Sequence, residues 1–134
     1  MTKFCDFSKL ALGWRPNQFL MLPSGFEATA KAHEVSPDFP APPVAVYDKL
    51  LAIIGNEPRI EWLAKDADGY RLELVQRSKT FRFPDRISIA ILPGNTEKSA
   101  TMAVYGRAKV GIRDFGVNKA RIRGWVSALQ DGSL

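Results

Sequence analysis

The chain has 134 residues, of which 46% are hydrophobic and 25% charged, with a formal net charge of +5. Those values suit one soluble domain with a core of its own. The longest apolar runs, Phe19–Leu22 and Leu50–Ile54, fall far short of the about 20 residues of a membrane span, and the single cysteine, Cys5, excludes an intrachain disulfide.

The N-terminal stretch MTKFCDFSKLALGW lacks the continuous apolar run of a secretory leader. Together with one lone cysteine, this predicts a cytoplasmic protein. Charge is uneven along the chain. Residues 1–58 hold five basic and six acidic side chains, whereas residues 59–134 hold fourteen and eight. Such asymmetry can mark an anion-binding surface, although a net charge of about 2–8 is also what keeps a small domain in solution.

Residues 14–43 carry Pro16, Pro23, Pro37, Pro40, Pro42 and Pro43. Proline removes a backbone donor and fixes φ, so this segment reads as an irregular arm without long helices or central strands. Trp14, Phe19, Leu22 and Phe26 are too apolar for a free tail, and predict an arm packed on the domain. A helix follows over about Pro43 to Ile54, with Tyr47, Leu50, Leu51 and Ile54 on one stripe and Gly55 to close it. Ile60, Trp62 and Ala64 alternate, as do Tyr70, Leu72 and Leu74 beyond KDADG, which predicts a β-hairpin. RISIAIL and ATMAVYGRAKV form a second hairpin across PGNTEK. A last helix carries Ile122, Trp125, Val126 and Leu129 and ends near Gly132.

These elements predict one α+β domain over residues 1–134: an arm over 1–43, then helix, four strands and helix over 44–134. The sheet is expected to be four-stranded and antiparallel, with both helices on one face. The arm is expected to cover part of the other face, where the strands offer Val75, Leu92, Ala103 and Tyr105.

Several chemistries find no support. His33 is the sole histidine, so no zinc site of ordinary type exists, and nothing near it suggests a nucleophile–histidine pair. DADG lacks the later ligands of a calcium loop and reads as a turn. No glycine-rich phosphate loop is present, and no cofactor is implied. RSKTFRF mixes Arg77, Lys79 and Arg82 with Phe81 and Phe83, but strand alternation would place both rings in the core and the cations in water. That reading argues against nucleic acid as a partner.

The C-terminal stretch from Tyr105 to Trp125 holds six cations and one acid. Strand alternation sets Tyr105, Arg107 and Lys109 on one face. Gly111 and Gly116 bracket a turn, and Asp114 and Asn118 are residue types that cap helix starts. Lys119, Arg121 and Arg123 lie off the apolar stripe. The stretch GIRDFGVNKARI resembles the signature of the domain of unknown function 1499 family, whose pattern runs roughly S-x-S-R-x-G-x-S-D-x-G-x-N-x-x-R. Gly111, Asp114, Gly116, Asn118 and Arg121 match it, and Lys109 stands for the arginine. Gly106, Ala108 and Arg113 replace the three serines. RPNQFLMLP, with Pro16 and Asn17, is similar to the family's PN block, and FRFPD, with Asp85, to its Phe-x-Asp block. The likeness spans about residues 15–130. It implies a small α+β domain and supplies no activity.

The leading expectation is a non-catalytic domain that binds a protein partner or a small anionic ligand. Its candidate site is a shallow cationic patch of Arg107, Lys109, Arg113 and Arg121, where the last strand meets the final helix. The alternative is an enzyme acting on an anionic substrate through Asp85, Asp114 and nearby cations. Clustering of Asp85, Asp114 and Arg107 in a concave pocket would favour it.

Overall fold

A computed structural model describes residues 2–13, 17–109 and 116–131. After a 3-10 turn at Phe7–Lys9, the elements are β1 (Gln18–Pro23), β2 (Glu34–Ser36), α1 (Pro43–Gly55), β3 (Ile60–Asp66), β4 (Arg71–Arg77), β5 (Pro84–Pro93), β6 (Ala100–Ala108) and α2 (Val117–Gln130). The strands form one sheet in the order β2-β1-β6-β5-β4-β3. Neighbours are antiparallel except β1 and β2, which are parallel.

The expected four-stranded antiparallel sheet is therefore a mixed sheet of six. The difference lies in the arm, which supplies β1 and β2. Proline does break this segment, but at its joints: Pro23 closes β1 and Pro37 follows β2. Before Pro23 the run Phe19–Leu22 is free to pair, and it does so with β6 from Gln18↔Arg107 to Met21↔Val104. Both faces of β1 are covered, so its sequence is a continuous apolar run and lacks the alternation that marks a half-exposed strand.

The two helices lie where the periodicity put them. Pro43 opens α1 at a position where its missing N–H costs nothing, and Val46, Tyr47, Leu50 and Ile54 are buried. In α2 the stripe is Ile122, Trp125, Val126 and Leu129. Both stripes join Leu72, Leu74, Ile87, Ile89, Met102 and Val104 in one core on one face of the sheet. Lys49 Nζ donates to the Leu129 carbonyl, and Trp125 Nε1 to Glu57.

The opposite face carries a second cluster. Leu20, Leu22, Ala90, Ala103 and Tyr105 are buried there beneath Phe7, Leu10 and Phe26 of the arm. Thr29 N donates to the Ser8 carbonyl and Gln18 Nε2 to that of Leu12, so the N-terminal segment is tied across the sheet. Phe19 and Leu22 are buried as expected of the arm; Trp14 falls outside the described residues. KDADG is the predicted turn, with the Asp66 carboxylate accepting from Gly69 N and the Arg71 guanidinium. Among the described residues no helix is long and apolar enough to cross a membrane.

One core assignment is overturned. Phe81 and Phe83 were expected to be buried, yet they are 71% and 43% exposed. Strand β4 ends at Arg77 and β5 begins at Pro84, so both rings sit on the connecting tip, where strand alternation no longer operates.

Candidate functional site

At the end of the sheet where β4 stops and β5 starts, four polar side chains from distant parts of the chain meet. Gln76 and Asp85 face each other across the β4–β5 ladder, and Asp85 pairs in turn with Ala108 on β6. Helix α2 begins above them. Arg121 Nε donates to Gln76 Oε1 at 2.5 Å, and its Nη1 donates to Asn118 Oδ1 at 2.6 Å and Asp85 Oδ2 at 3.1 Å. The Arg121 side chain is only 11% exposed and that of Asp85 15%. This pair is thus largely screened from water, where geometry and additional hydrogen bonds decide whether burial is tolerated. Three acceptors on one guanidinium meet that condition.

Asn17, just before β1, closes the cluster. Its carbonyl accepts from Ala108 N at 3.0 Å and from Asn118 Nδ2 at 3.5 Å. Helix α2 can approach this closely because β6 has no side chain at Gly106. A Cβ built there would lie 2.5 Å from Asn118 Oδ1 and 3.2 Å from Ile122 Cδ1.

Two local expectations change. Asn118 does not cap the helix by its side chain; it is a buried residue of the first turn, engaged with Arg121 and Asn17. Gly116 holds the N-cap position at φ 89°, a backbone region that glycine enters without steric cost. Arg121, which the apolar stripe set toward solvent, is turned into the sheet end by Asp85 and Gln76.

Beside this cluster opens a cavity of about 300 Å³, walled by Arg59, Arg77, Lys79 and Arg121, with Asp85 as the one carboxylate among the described residues that line it. Phe83 and Val117 add apolar surface. Arg59 Nε donates to the Arg77 carbonyl, and Arg77 Nη2 lies 3.7 Å from Glu61 on the outer surface. The first turn of α2 stands at the rim, and the positive end of its dipole adds to the four cations.

Of the expected patch residues that are described, Arg107, Lys109 and Arg121, only Arg121 lines this cavity. Arg107 points to the other face of the sheet, as strand alternation requires: its Nη1 donates to Ser88 Oγ at 2.8 Å and to the Tyr105 carbonyl at 3.0 Å. Asp85 and Arg107 are therefore separated by the sheet. Lys109 is exposed just beyond β6, its backbone N donating to the Pro84 carbonyl. Arg113, Asp114, Gly111 and Pro16 lie outside the described residues. Arg59, Arg77, Lys79 and Gln76 were missed, and the only signal was the RSKTFRF run, set aside when its rings were placed in the core.

The other face has a charged cluster that no motif announced. Glu73 is 1% exposed and accepts from Arg86 Nε at 2.8 Å, Ser88 Oγ at 2.7 Å and Cys5 N at 2.9 Å. Ser88 also accepts from Arg107, so one carboxylate serves two guanidiniums, one directly and one through a hydroxyl. Burial lowers the Arg107 pKa, opposed by the Glu73 charge. Burial also pushes the Cys5 thiol up to about 11. Among the described residues no three His, Cys, Asp or Glu side chains are grouped to hold a metal ion.

The fold and this sheet-end cluster define a class: an α+β domain in which two helices close one face of a mixed sheet and an N-terminal arm closes the other. Residues 13–129 match the family described as "Protein of unknown function (DUF1499)", and the chain belongs to that family. No curated protein matches the sequence. Among solved structures, the chain is similar to a protein of Thermobifida fusca determined by NMR, at 14% identity and a TM-score of 0.50, covering 71% of this chain and 87% of that one. It is also similar to the di-domain ARO/CYC BexL of the BE-7585A biosynthetic pathway, at 17% identity and a TM-score of 0.49. That match covers 72% of this chain but 44% of BexL, so the chain spans less than half its length. At such identities the likeness is one of fold alone.

Proposed function

We propose that this domain binds a small anionic ligand, without transforming it, in the cavity at the β4–β5 end of the sheet. The observation that carries the reading is the balance of charge among the described residues there: Arg59, Arg77, Lys79 and Arg121 against Asp85, whose carboxylate is already bonded to Arg121. A cavity of about 300 Å³ is at the small end of ligand sites, and fits a phosphate- or carboxylate-bearing molecule better than a folded partner. Arg121 is bound into the fold, so Arg59, Arg77 and Lys79 are the groups left to meet a ligand. The single cysteine is in keeping with a place in the cytoplasm.

The test is thermal denaturation at low ionic strength with inorganic phosphate and sulfate. A ligand at ten times its Kd stabilises by about 1.4 kcal/mol, which is several degrees of Tm for a domain of this size. The wild type is expected to show that shift, and Arg77→Ala/Lys79→Ala to lose most of it. Added sodium chloride should weaken the effect. An equal shift in both proteins, or none in either, would remove the anion site.

A further inference from the structure

We propose that the β4–β5 tip docks this domain on an anionic lipid surface, with Phe81 and Phe83 inserted among the headgroups. The proposal deepens the anion-site reading and rests on it, because it makes a lipid phosphate the anion that the cavity meets. The two rings stack on each other at 5.4 Å between centroids and 21° between planes, and together form an apolar knob on the outside of the molecule. Phe83 also belongs to the cavity wall, so knob and cavity open on the same end of the sheet.

The tip is built to hold the rings out. Ser78 N donates to the Phe83 carbonyl and Phe83 N to Ser78 Oγ, both at 3.0 Å. Arg82 sits between the rings in the left-handed region, at φ 58°, and its carbonyl accepts from Arg77 Nη1. A closed loop gives up little conformational freedom on binding. From Arg77 to Phe83 the chain has three cations and no acid. Of the described carboxylates beside the tip, Asp85 is turned inward to Arg121 and Glu61 lies 3.7 Å from Arg77.

Apolar rings inside a collar of Lys and Arg match the two layers of an anionic membrane surface: acyl boundary for the rings, phosphates for the cations. A protein partner fits less well, since a stable interface takes about 800 Å² from each side and this tip is six residues long. Single-stranded nucleic acid also fits less well. It is usually gripped by aromatic platforms spaced along a groove, whereas these rings cover each other on a convex tip.

The experiment is co-sedimentation of the full chain with vesicles of phosphatidylcholine alone and of phosphatidylcholine mixed with phosphatidylglycerol. Binding to the mixed vesicles is expected, weakened by salt. Phe81→Ser should lower the partition constant by about tenfold, which is roughly the least that burial of one phenylalanine is worth. Phe81 is 71% exposed and is no part of the cavity wall, so this variant should melt like the wild type and keep its response to inorganic phosphate. No binding to the mixed vesicles, or equal binding by the serine variant, would overturn the docking while a retained phosphate response would leave the anion site standing. The reverse result, ring-dependent vesicle binding without any phosphate response, would sink the cavity reading and with it the proposed contact between cavity and lipid phosphate, leaving the ring insertion alone. Binding of a thymidine oligonucleotide that the serine variant loses, with no vesicle binding, would overturn the proposal in favour of nucleic acid.

Discussion

Glu73 offers the sharpest test of how this fold tolerates charge in its interior. Its carboxylate, 1% exposed, balances Arg86 directly and Arg107 through Ser88, and it also ties down Cys5 of the arm. Glu73→Leu leaves two guanidiniums under the arm without their counter-charge. Breaking a buried ion pair from one side costs about 3–5 kcal/mol. Arg86 is 22% exposed and can recover some hydration, which sets the expected loss near the lower limit, about 3 kcal/mol. With a urea m value of about 2 kcal/mol per molar, the unfolding midpoint should fall by about 1.5 M. Glu73→Gln keeps the shape and one acceptor but not the charge, and should fall between the leucine variant and the wild type. The assay is equilibrium urea denaturation followed by tryptophan fluorescence, with m compared across the three proteins. A midpoint within about 0.3 M of wild type for the leucine variant would refute the reasoning, because the two arginines would then have to be balanced by something else.

Two further outcomes are expected. Gly106→Ser places its Cβ against Asn118 Oδ1, an atom that cannot swing aside while it accepts from Arg121, so α2 must shift at a cost of about 1–3 kcal/mol; an unchanged Tm would show that the helix is not held at this point. Cys5, with its thiol raised to about 11 chiefly by burial, should be alkylated near neutral pH about a hundredfold more slowly than a free thiol. Because its folded value is raised, the stability linked to this group is complete below the ordinary thiol value and is lost as pH rises through about 11. Alkylation at the rate of glutathione would mean that the N-terminal segment does not cover the sheet.

Sequence periodicity was a reliable guide wherever a segment has one dry side. Both helices show the 3.6-residue stripe because their outer faces meet water, and β3 to β6 were located by alternation and by the turn chemistry of KDADG and PGNTEK. It failed at β1, where Phe19–Leu22 is covered on both sides and alternation vanishes. It failed again at Phe81 and Phe83, where alternation was carried past the end of a strand. The site was half legible. Asn17, Asp85, Asn118 and Arg121 stood out as parts of recognisable blocks, but nothing local shows that a residue on β5 will meet one 36 positions later on α2. The contribution of Arg59 and Lys79 was invisible for a simpler reason: exposed cations are common, and only the register of β3, β4 and β5 brings these to one cavity.

The residues that make the family recognisable and the residues that would touch a ligand are therefore different sets. Arg121 spends its donors on Gln76, Asn118 and Asp85, and Asn118 is shut in against Gly106 and Asn17. What this group accomplishes is position: it holds the first turn of α2 against the ends of β1, β4, β5 and β6, and so fixes one wall of the cavity. Arg59, Arg77 and Lys79 come from the opposite wall, on a strand end and two connections with no pattern of their own. A motif that specifies the shape of a site and leaves its contacts free can serve ligands of different size or charge on one scaffold, since fold and function are carried by separate residues. On that division of labour, substitutions at Asn118 or Arg121 should appear first in the melting temperature. Substitutions at Arg77 or Lys79 should leave the melting temperature alone and appear in anion and vesicle binding.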